Sequence, residues 1–205
     1  MKKIICPLLL AVATASLHAG AGLFDSFIIV RTASDTYYDV GAVSLNPDFQ
    51  GSSLGSFDAS TDNLQLGGQT KTFKNDGSDV TSASLQYRIW QVSESGSFTG
   101  FGYTFQIDSV GGVGGDQQWG SDVAGGNSTA YYTSNLLSGL SAGDYTLEVF
   151  TQITTNGINA DSIIYANNGT ANYEATFTIV PEPGTFALVA GLLGFIYVAI
   201  RRRVA

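Results

Sequence analysis

The residues that most often perform nucleophilic or acid–base chemistry are scarce in this chain of 205 residues. It contains one cysteine, Cys6, and one histidine, His18, and both precede position 20. These positions have the features of a segment removed on export, so we expect the processed protein to lack both thiol and imidazole. That expectation excludes a Ser-His-Asp triad, a Cys-His pair and a zinc site built from cysteine or histidine. No catalytic residue is predicted, and the sequence favours a protein that is not an enzyme.

Oxygen-bearing side chains are more frequent, and they suggest two further kinds of site. The loops at 58–63 (DASTDN) and 75–79 (NDGSD) gather carboxylates and amides, which calcium accepts as ligands. Neither loop has the spacing of an EF-hand, and Asx-rich turns form without metal. We therefore predict no metal site and no cofactor, and calcium stays an alternative. Glu94, Glu148 and Glu174 are the glutamates that precede the C-terminal tail, and a glycosidase would need two carboxylates facing each other across a cleft.

Aromatic side chains suggest a carbohydrate-binding alternative. Trp90, Trp119 and the pair Tyr131-Tyr132 would form a stacking platform for sugar rings if they were exposed together. Apolar and aromatic residues of strands more often contribute to a hydrophobic core. Two hypotheses follow: a surface or matrix protein without enzymatic activity, and a carbohydrate-binding or adhesive module at the same location.

The charges are unevenly placed along the chain. Residues 20–180 carry 16 acidic and 4 basic side chains, a net charge of −12, whereas the other basic residues lie at the two ends. An acidic surface of this kind repels a phosphate backbone, so we expect no nucleic-acid partner. The same charge favours solubility outside the cell.

The N-terminal segment is predicted to be a secretory signal peptide that spans residues 1–21. Two lysines follow Met1, residues 4–13 are apolar, and small residues dominate the stretch ATASLHAGAG at its end. The apolar run is too short for a spanning helix. We expect the export machinery to recognise this segment and cleavage to follow Ala19 or Ala21, with the Ala13-Thr14-Ala15 stretch as a third candidate.

Residues 22–180 are predicted to form one domain of β-strands. Short runs rich in Val, Ile, Thr, Tyr and Phe alternate with Gly, Asn, Asp and Ser, and several runs have a period of two. The predicted strands cover 26–32, 36–45, 69–75, 83–92, 102–110, 144–155 and 171–180. Asp76-Gly77, Asn156-Gly157 and Asn168-Gly169 have the turn chemistry of tight hairpins. The glycine-rich stretch 111–120 is predicted to be a flexible loop. This pattern favours an antiparallel sandwich, with a barrel as the competing layout.

The stretch NLLSGLSAGDYTLEVF (135–150) favours the sandwich. It resembles the start of the penultimate strand of immunoglobulin-like and fibronectin-like sandwiches, and Leu140, Gly143 and Tyr145 occupy the matching positions. The resemblance implies that the Tyr145 hydroxyl donates a hydrogen bond to upstream backbone and fixes this corner. It also implies an Ig-like β-sandwich. An ordinary strand tyrosine is the alternative.

The C-terminal tail, VPEPGTFALVAGLLGFIYVAIRRRVA (180–205), differs from the rest of the chain. Val180-Pro181-Glu182-Pro183 and Gly184-Thr185 precede an uncharged run over 186–200. Three basic residues follow this run, namely Arg201, Arg202 and Arg203. We predict a single transmembrane helix over 186–200, with the arginines on the cytoplasmic side. As a helix this run is about 22 Å long against a hydrocarbon core of about 30 Å, so it suits a temporary anchor better than a permanent one.

These elements together resemble the PEP-CTERM sorting signal of bacterial exported proteins, over residues 181–205. The resemblance implies recognition by exosortase, a membrane-embedded transpeptidase-like enzyme, and cleavage near the Pro-Glu-Pro motif. It also implies transfer to the cell surface or to extracellular polymer, in association with exopolysaccharide and biofilm production. We therefore expect a single-pass inner-membrane intermediate with the domain outside, followed by delivery to the cell surface or the extracellular matrix.

Overall fold

A computed structural model of the chain describes residues 20–41, 46–91, 96–108, 115–121, 132–169 and 171–204. These residues contain eleven strands and one helix, which confirms the prediction of an all-β domain. Most of the predicted signal peptide, with Cys6 and His18, lies outside the described residues. The strands are β1 (Ala21–Arg31), β2 (Asp35–Asp39), β3 (Ser52–Phe57), β4 (Gln65–Lys74), β5 (Val80–Trp90), β6 (Thr99–Gly102), β7 (Thr104–Asp108), β8 (Asp116–Gly120), β9 (Gly143–Thr155), β10 (Ile163–Ala166) and β11 (Tyr173–Ile179), and the helix is α1 (Pro183–Val204).

The strands form two sheets. The five-stranded sheet has the order β2-β1-β4-β8-β7, and each of these neighbouring pairs is antiparallel. The six-stranded sheet has the order β3-β11-β9-β5-β6, and β10 pairs with the later part of β9. The β3–β11 pair is parallel, whereas β11, β9, β5 and β6 pair in antiparallel fashion. The long pairs β1–β4 and β5–β9 therefore form the centre of each sheet.

Side chains alternate between the two faces, as half-buried strands require. In β9, Leu147 and Val149 are completely buried, whereas the residues between and beside them point to the opposite face. In β11 every second residue is buried: Tyr173, Ala175, Phe177 and Ile179. The inward faces predicted for these two strands are confirmed.

The hydrophobic core lies between the sheets. Ile28 and Leu66 contribute from the five-stranded sheet, and Leu85 and Phe177 contribute from the six-stranded sheet. A buried polar contact crosses the core, because the hydroxyls of Ser26 and Thr151 lie 2.9 Å apart in a hydrogen bond. Burying an unpaired hydroxyl would cost free energy, so this pairing favours one relative position of the sheets.

Strands β3, β8 and β10 are absent from the sequence prediction, and β6 shares only Gly102 with a predicted strand. The predicted flexible loop at 111–120 is wrong over its second half, because β8 lies between β4 and β7 and its last four residues are buried. The sequence DQQWG is polar and short, and only pairing with distant strands makes it a strand. The predicted strand over 102–110 is divided at Tyr103, where the chain passes from one sheet to the other.

The predicted turns have the expected backbone angles but not always the expected partners. Asp76 and Gly77 have positive φ angles of 51° and 79°. They connect β4 to β5, which belong to different sheets, so the predicted hairpin at this turn is wrong. Asn156-Gly157 begins the connection between β9 and β10, which do pair as an antiparallel hairpin.

The first described residues belong to the domain. The Gly20 amide donates to the carbonyl oxygen of Asn159 at 2.8 Å. Ala21 is 1% exposed and pairs with Lys74 in the sheet. Cleavage after Ala21 would remove both paired residues, whereas cleavage after Ala19 would leave them in place.

Helix α1 includes the uncharged run over 186–200. Leu188 and Phe195 on this helix are 75% and 73% exposed. Across the described residues, no helix combines the length and the apolar character needed to cross a membrane. The predicted transmembrane helix is therefore not supported. Its uncharged run is short against a hydrocarbon core of about 30 Å.

Candidate functional site

The sorting-motif residues lie where the chain leaves the domain. The Val180 amide donates to the carbonyl oxygen of Phe57 at 2.9 Å, which is the last backbone hydrogen bond of this edge. Pro181 and Glu182 are exposed and belong neither to β11 nor to α1. They border a shallow depression that Leu140 and Ser141 also line. The motif is therefore presented at the surface beside the corner that precedes β9.

The remaining tail residues lie in α1. The helix begins at Pro183, includes Gly184 and Thr185, and extends through Arg201, Arg202 and Arg203. Gly184 is exposed. Proline at the first position of a helix is favourable, because its missing N–H is not needed there. The boundary between extended motif and helix therefore falls within the Pro-Glu-Pro sequence.

Tyr145 makes the backbone contact that the sequence predicts. Its hydroxyl donates to the carbonyl oxygen of Ser141 at 2.8 Å, and its ring stacks on Phe177 with centroids 5.3 Å apart. Leu140 is half-buried against the core, and Gly143 has a φ of 147°, which favours glycine. These contacts fix the start of β9, so the role that they indicate for the three residues is structural.

The aromatic residues predicted to bind carbohydrate do not form one platform. Trp119 lies on β8 in the five-stranded sheet and is 8% exposed. Trp90 lies at the end of β5 in the six-stranded sheet and is half-buried. Tyr131 lies outside the described residues. The prediction that these residues form one binding surface is wrong, because strand pairing places Trp90 and Trp119 on different sheets.

Tyr132 belongs to a hydrogen-bonded group at the edge of the five-stranded sheet. The Arg31 guanidinium lies 3.6 Å from the centre of its ring and donates to its hydroxyl at 2.9 Å. That hydroxyl donates to Asp35 Oδ2 at 2.9 Å. The hydrogen bonds from Arg31 hold the pKa of Asp35 below its ordinary value. Burial and the Asp35 carboxylate raise the pKa of Tyr132. The group is held together by its own contacts.

Three carboxylates of the oxygen-rich loops, those of Asp58, Asp62 and Asp79, accept hydrogen bonds from other protein groups. Asp58 Oδ1 accepts hydrogen bonds from the amide of Ser60 at 2.9 Å and from its hydroxyl at 2.6 Å. These bonds lower the pKa of Asp58. Asp62 accepts from the Asp58 amide at 2.8 Å, and Asp79 accepts from Gln117 at 3.0 Å. Among the described residues, no group of three or more His, Cys, Asp or Glu side chains is placed to hold a metal ion.

Glu148 occupies the centre of the outer face of the six-stranded sheet. Although it points away from the core, it is 4% exposed. One carboxylate oxygen accepts from Arg88 Nε, and the other accepts from Asn172 Nδ2. Glu174 is its exposed register partner on β11. Because both oxygens of Glu148 are occupied, its arrangement is that of a structural ion pair.

Aromatic rings surround this ion pair. The Arg88 guanidinium carbon lies 4.9 Å from the ring centre of Trp90 and 4.5 Å from that of Phe98. Phe98 contacts Phe150 with centroids 4.9 Å apart, and Phe150 contacts Tyr165 at 5.7 Å. We call Trp90, Phe98, Phe150 and Tyr165 the aromatic strip. The prediction includes only the first of them, although an apolar Phe150 at an outward position of β9 was a usable signal.

No protein-family model matches this chain, and a search of curated proteins finds no match to it. Two features of the described residues therefore remain as candidates for function. The first is the exposed motif at the end of β11, and the second is the aromatic strip on the outer face of the six-stranded sheet.

Proposed function

We propose that this protein is exported and acts, without enzymatic activity, at the bacterial cell surface or in the extracellular matrix. In this proposal an exosortase-type membrane transpeptidase recognises the C-terminal tail and delivers the protein. The observation that carries the proposal is the exposure of Pro181 and Glu182 outside any strand or helix, directly after the last strand. A processing enzyme needs such an accessible, extended segment.

The backbone properties of the two prolines in the motif support the sorting proposal. Pro181 and Pro183 have no backbone N–H, so they cannot extend the ladder of β11 into the motif. Residues that precede proline are disfavoured in the helical conformation, which keeps Val180 and Glu182 extended. Pro181 and Glu182 thereby lie outside both the ladder of β11 and the helix α1, which begins at Pro183.

The domain is consistent with a role outside the cell. We propose that it is an Ig-like sandwich, and the hydrogen bond from Tyr145 to Ser141 supports that assignment. Its charge of −12 over residues 20–180 disfavours nucleic acid as a partner. Extracellular polysaccharide is the partner class that we propose at this location.

Fractionation of cells with and without exosortase tests the sorting proposal. Antiserum against the purified domain is preferable to an inserted tag near residue 21, because Ala21 is buried in β1. We expect the protein in the surface or matrix fraction of the parent strain, with a mass lower by most of the tail. In the strain without exosortase we expect the unprocessed protein to stay with the cells.

A matched pair of glutamate variants makes the test specific. Glu182→Gln changes the motif, whereas Glu174→Gln changes an exposed glutamate on β11. We expect the first variant to reproduce the phenotype of the strain without exosortase and the second to be processed normally. Equal mass and equal distribution in all strains would show that the tail is not a sorting signal.

A further inference from the structure

Two asparagine–glycine pairs occupy turns of the six-stranded sheet. Asn156-Gly157 follows β9, and Asn168-Gly169 lies between β10 and β11. In such a pair the backbone nitrogen of the glycine can attack the side-chain carbonyl carbon of the asparagine, because glycine has no side chain that hinders the approach. This reaction is one reason why asparagine is a thermolabile residue. Since the reacting residues are identical, local sequence predicts similar reactivity at the two sites.

The two pairs also agree in exposure and in backbone conformation. Both asparagines and both glycines are exposed. Gly157 and Gly169 have φ angles of 74° and 67°. The Gly157 amide donates to the hydroxyl of Thr155, and the Gly169 amide donates to the carbonyl oxygen of Asn167, each at 3.0 Å. Access to solvent and the state of the attacking nitrogen therefore differ little between the sites.

The side chain of Asn156 is held by three hydrogen bonds. Its Oδ1 accepts from the amides of Asp79 and Ile158, both at 3.2 Å. Its Nδ2 donates to the carbonyl oxygen of Gly77 at 3.0 Å. Through these contacts the side chain connects the turn after β9 to the turn before β5. Its carbonyl carbon can therefore turn toward the nitrogen of Gly157 only after these bonds break.

The side chain of Asn168 makes no hydrogen bond to any other residue that the structure describes. Its backbone carbonyl oxygen accepts from the amide of Ala171 at 3.1 Å, across a tight turn. This contact leaves the side-chain amide unrestrained. Exposed side chains change rotamer within nanoseconds, so the carbonyl carbon of Asn168 can reach the nitrogen of Gly169 without losing a contact of its own.

We propose that Asn168 is a site of spontaneous deamidation in the folded protein, whereas its hydrogen bonds protect Asn156. The Gly169 nitrogen loses its proton and bonds to Cγ of Asn168. The bond from Cγ to the side-chain nitrogen breaks, and ammonia leaves with that proton. Water then adds to one of the two carbonyl carbons of the resulting succinimide and opens the ring, which leaves aspartate or isoaspartate at position 168.

Either product changes the turn between β10 and β11. Each adds a negative charge to a region, residues 20–180, whose net charge is already −12. Isoaspartate also lengthens the backbone by one carbon atom, at the turn where position 168 pairs with Ala171. The modified fraction grows with time after synthesis, so this turn records the age of the molecule. The inference concerns the domain, and it stands or fails independently of how the tail is processed.

Incubation of the purified full-length protein at neutral pH, followed by peptide mapping, tests the proposal. Cleavage after aromatic residues separates 166–173, which contains Asn168, from 151–165, which contains Asn156. Each deamidation raises the mass of its peptide by about 1 Da, and fragmentation assigns the position. In the folded protein we expect conversion at Asn168 to be at least roughly tenfold faster, since reaction at Asn156 first requires local opening of its turn.

The same incubation in guanidinium chloride separates the effect of structure from that of sequence. Unfolding removes the hydrogen bonds of Asn156, so we expect the two sites to convert at similar rates. A rate difference that persists unchanged in the denaturant would trace the selectivity to neighbouring residues and would overturn the proposal.

A matched pair of variants verifies the assignment. Glutamine would have to form a larger ring, so Asn168→Gln should abolish the mass increase at position 168. The Asn156→Gln control should retain it, and thermal melts verify that both variants fold. Equal conversion of Asn156 and Asn168 in the folded parent, faster conversion of Asn156, or no conversion of Asn168 would each contradict the proposal.

Discussion

Replacing Tyr145 by phenylalanine would remove one hydroxyl and leave the aromatic ring in place. Tyr145 is 7% exposed, and its ring stacks on Phe177 at an interplanar angle of 14°. This stacking does not involve the hydroxyl. The hydroxyl donates to the carbonyl oxygen of Ser141 at 2.8 Å. Tyr145→Phe therefore isolates a single hydrogen bond that fixes the corner before β9.

The expected cost follows from the surroundings of the two groups. A net hydrogen bond contributes about 1 kcal/mol, and a buried acceptor left without a partner would raise that cost to about 2–3 kcal/mol. Ser141 is exposed, so water can hydrate its carbonyl oxygen after the substitution. We therefore expect the free energy of unfolding to fall by about 1 kcal/mol, with a decrease in Tm of about 2–4 °C for a domain of this size.

Urea unfolding of the purified protein, followed by tryptophan fluorescence, measures this difference. The matched control is Tyr165→Phe, since the Tyr165 hydroxyl makes no hydrogen bond within the described residues and its side chain is 49% exposed. We expect the control to change the free energy of unfolding by less than about 0.5 kcal/mol. Equal stability of the Tyr145→Phe variant and the parent would refute the idea that this hydroxyl stabilises the corner.

Three further predictions concern other parts of the domain. Gly68→Ala should lower the free energy of unfolding by about 1–3 kcal/mol in urea melts, because the added carbon would lie 2.1 Å from a buried tyrosine hydroxyl. Gly102→Ala, where the added carbon meets no atom of the described residues within 4 Å, should leave the melt unchanged. Hydrogen bonds from Arg31 lower the pKa of Asp35, so the carboxylate stabilises the fold above its unfolded pKa, and this stability is lost as pH falls through its folded pKa. The stability difference between the parent and Asp35→Asn should accordingly shrink from about pH 6 to about pH 3, and a difference independent of pH would contradict this assignment. The intact mass of the exported protein should correspond to an N-terminus at Gly20, and a mass that begins at residue 22 would contradict the role of Gly20 and Ala21 in the sheet.

Much of the β-structure could be predicted from local sequence. The period of two in β9 and β11 comes from side chains two residues apart on one strand, so it does not depend on the partner strand. The Tyr145 corner is similarly local, because donor and acceptor are four residues apart. The positive φ angles at Asp76-Gly77 also follow from residue type.

The pairing of strands could not be predicted in this way. Turn chemistry at Asp76-Gly77 cannot distinguish a hairpin from a change of sheet, because both need the same backbone angles. The short strands β3 and β8 lack a strong pattern of their own, and partners elsewhere in the chain stabilise them. Burial of the polar residues of β8 likewise depends on its position between β4 and β7.

The two candidate sites differ in the same way: one is contiguous in sequence, and the other is assembled by strand pairing. The motif at the end of β11 is contiguous in the chain, so its resemblance to a known sorting signal is visible in the sequence alone. The sorting role that this resemblance implies stays a prediction until its cellular test. The aromatic strip joins residues from β5, β9, β10 and the segment before β6, which only hydrogen bonding between strands places side by side. Sequence determined which side chains alternate inward and outward on each strand, because that alternation is a property of the extended backbone. Tertiary structure alone decided that Trp90 lies with Phe98 and Phe150 rather than with Trp119, because register and sheet order depend on contacts between distant parts of the chain.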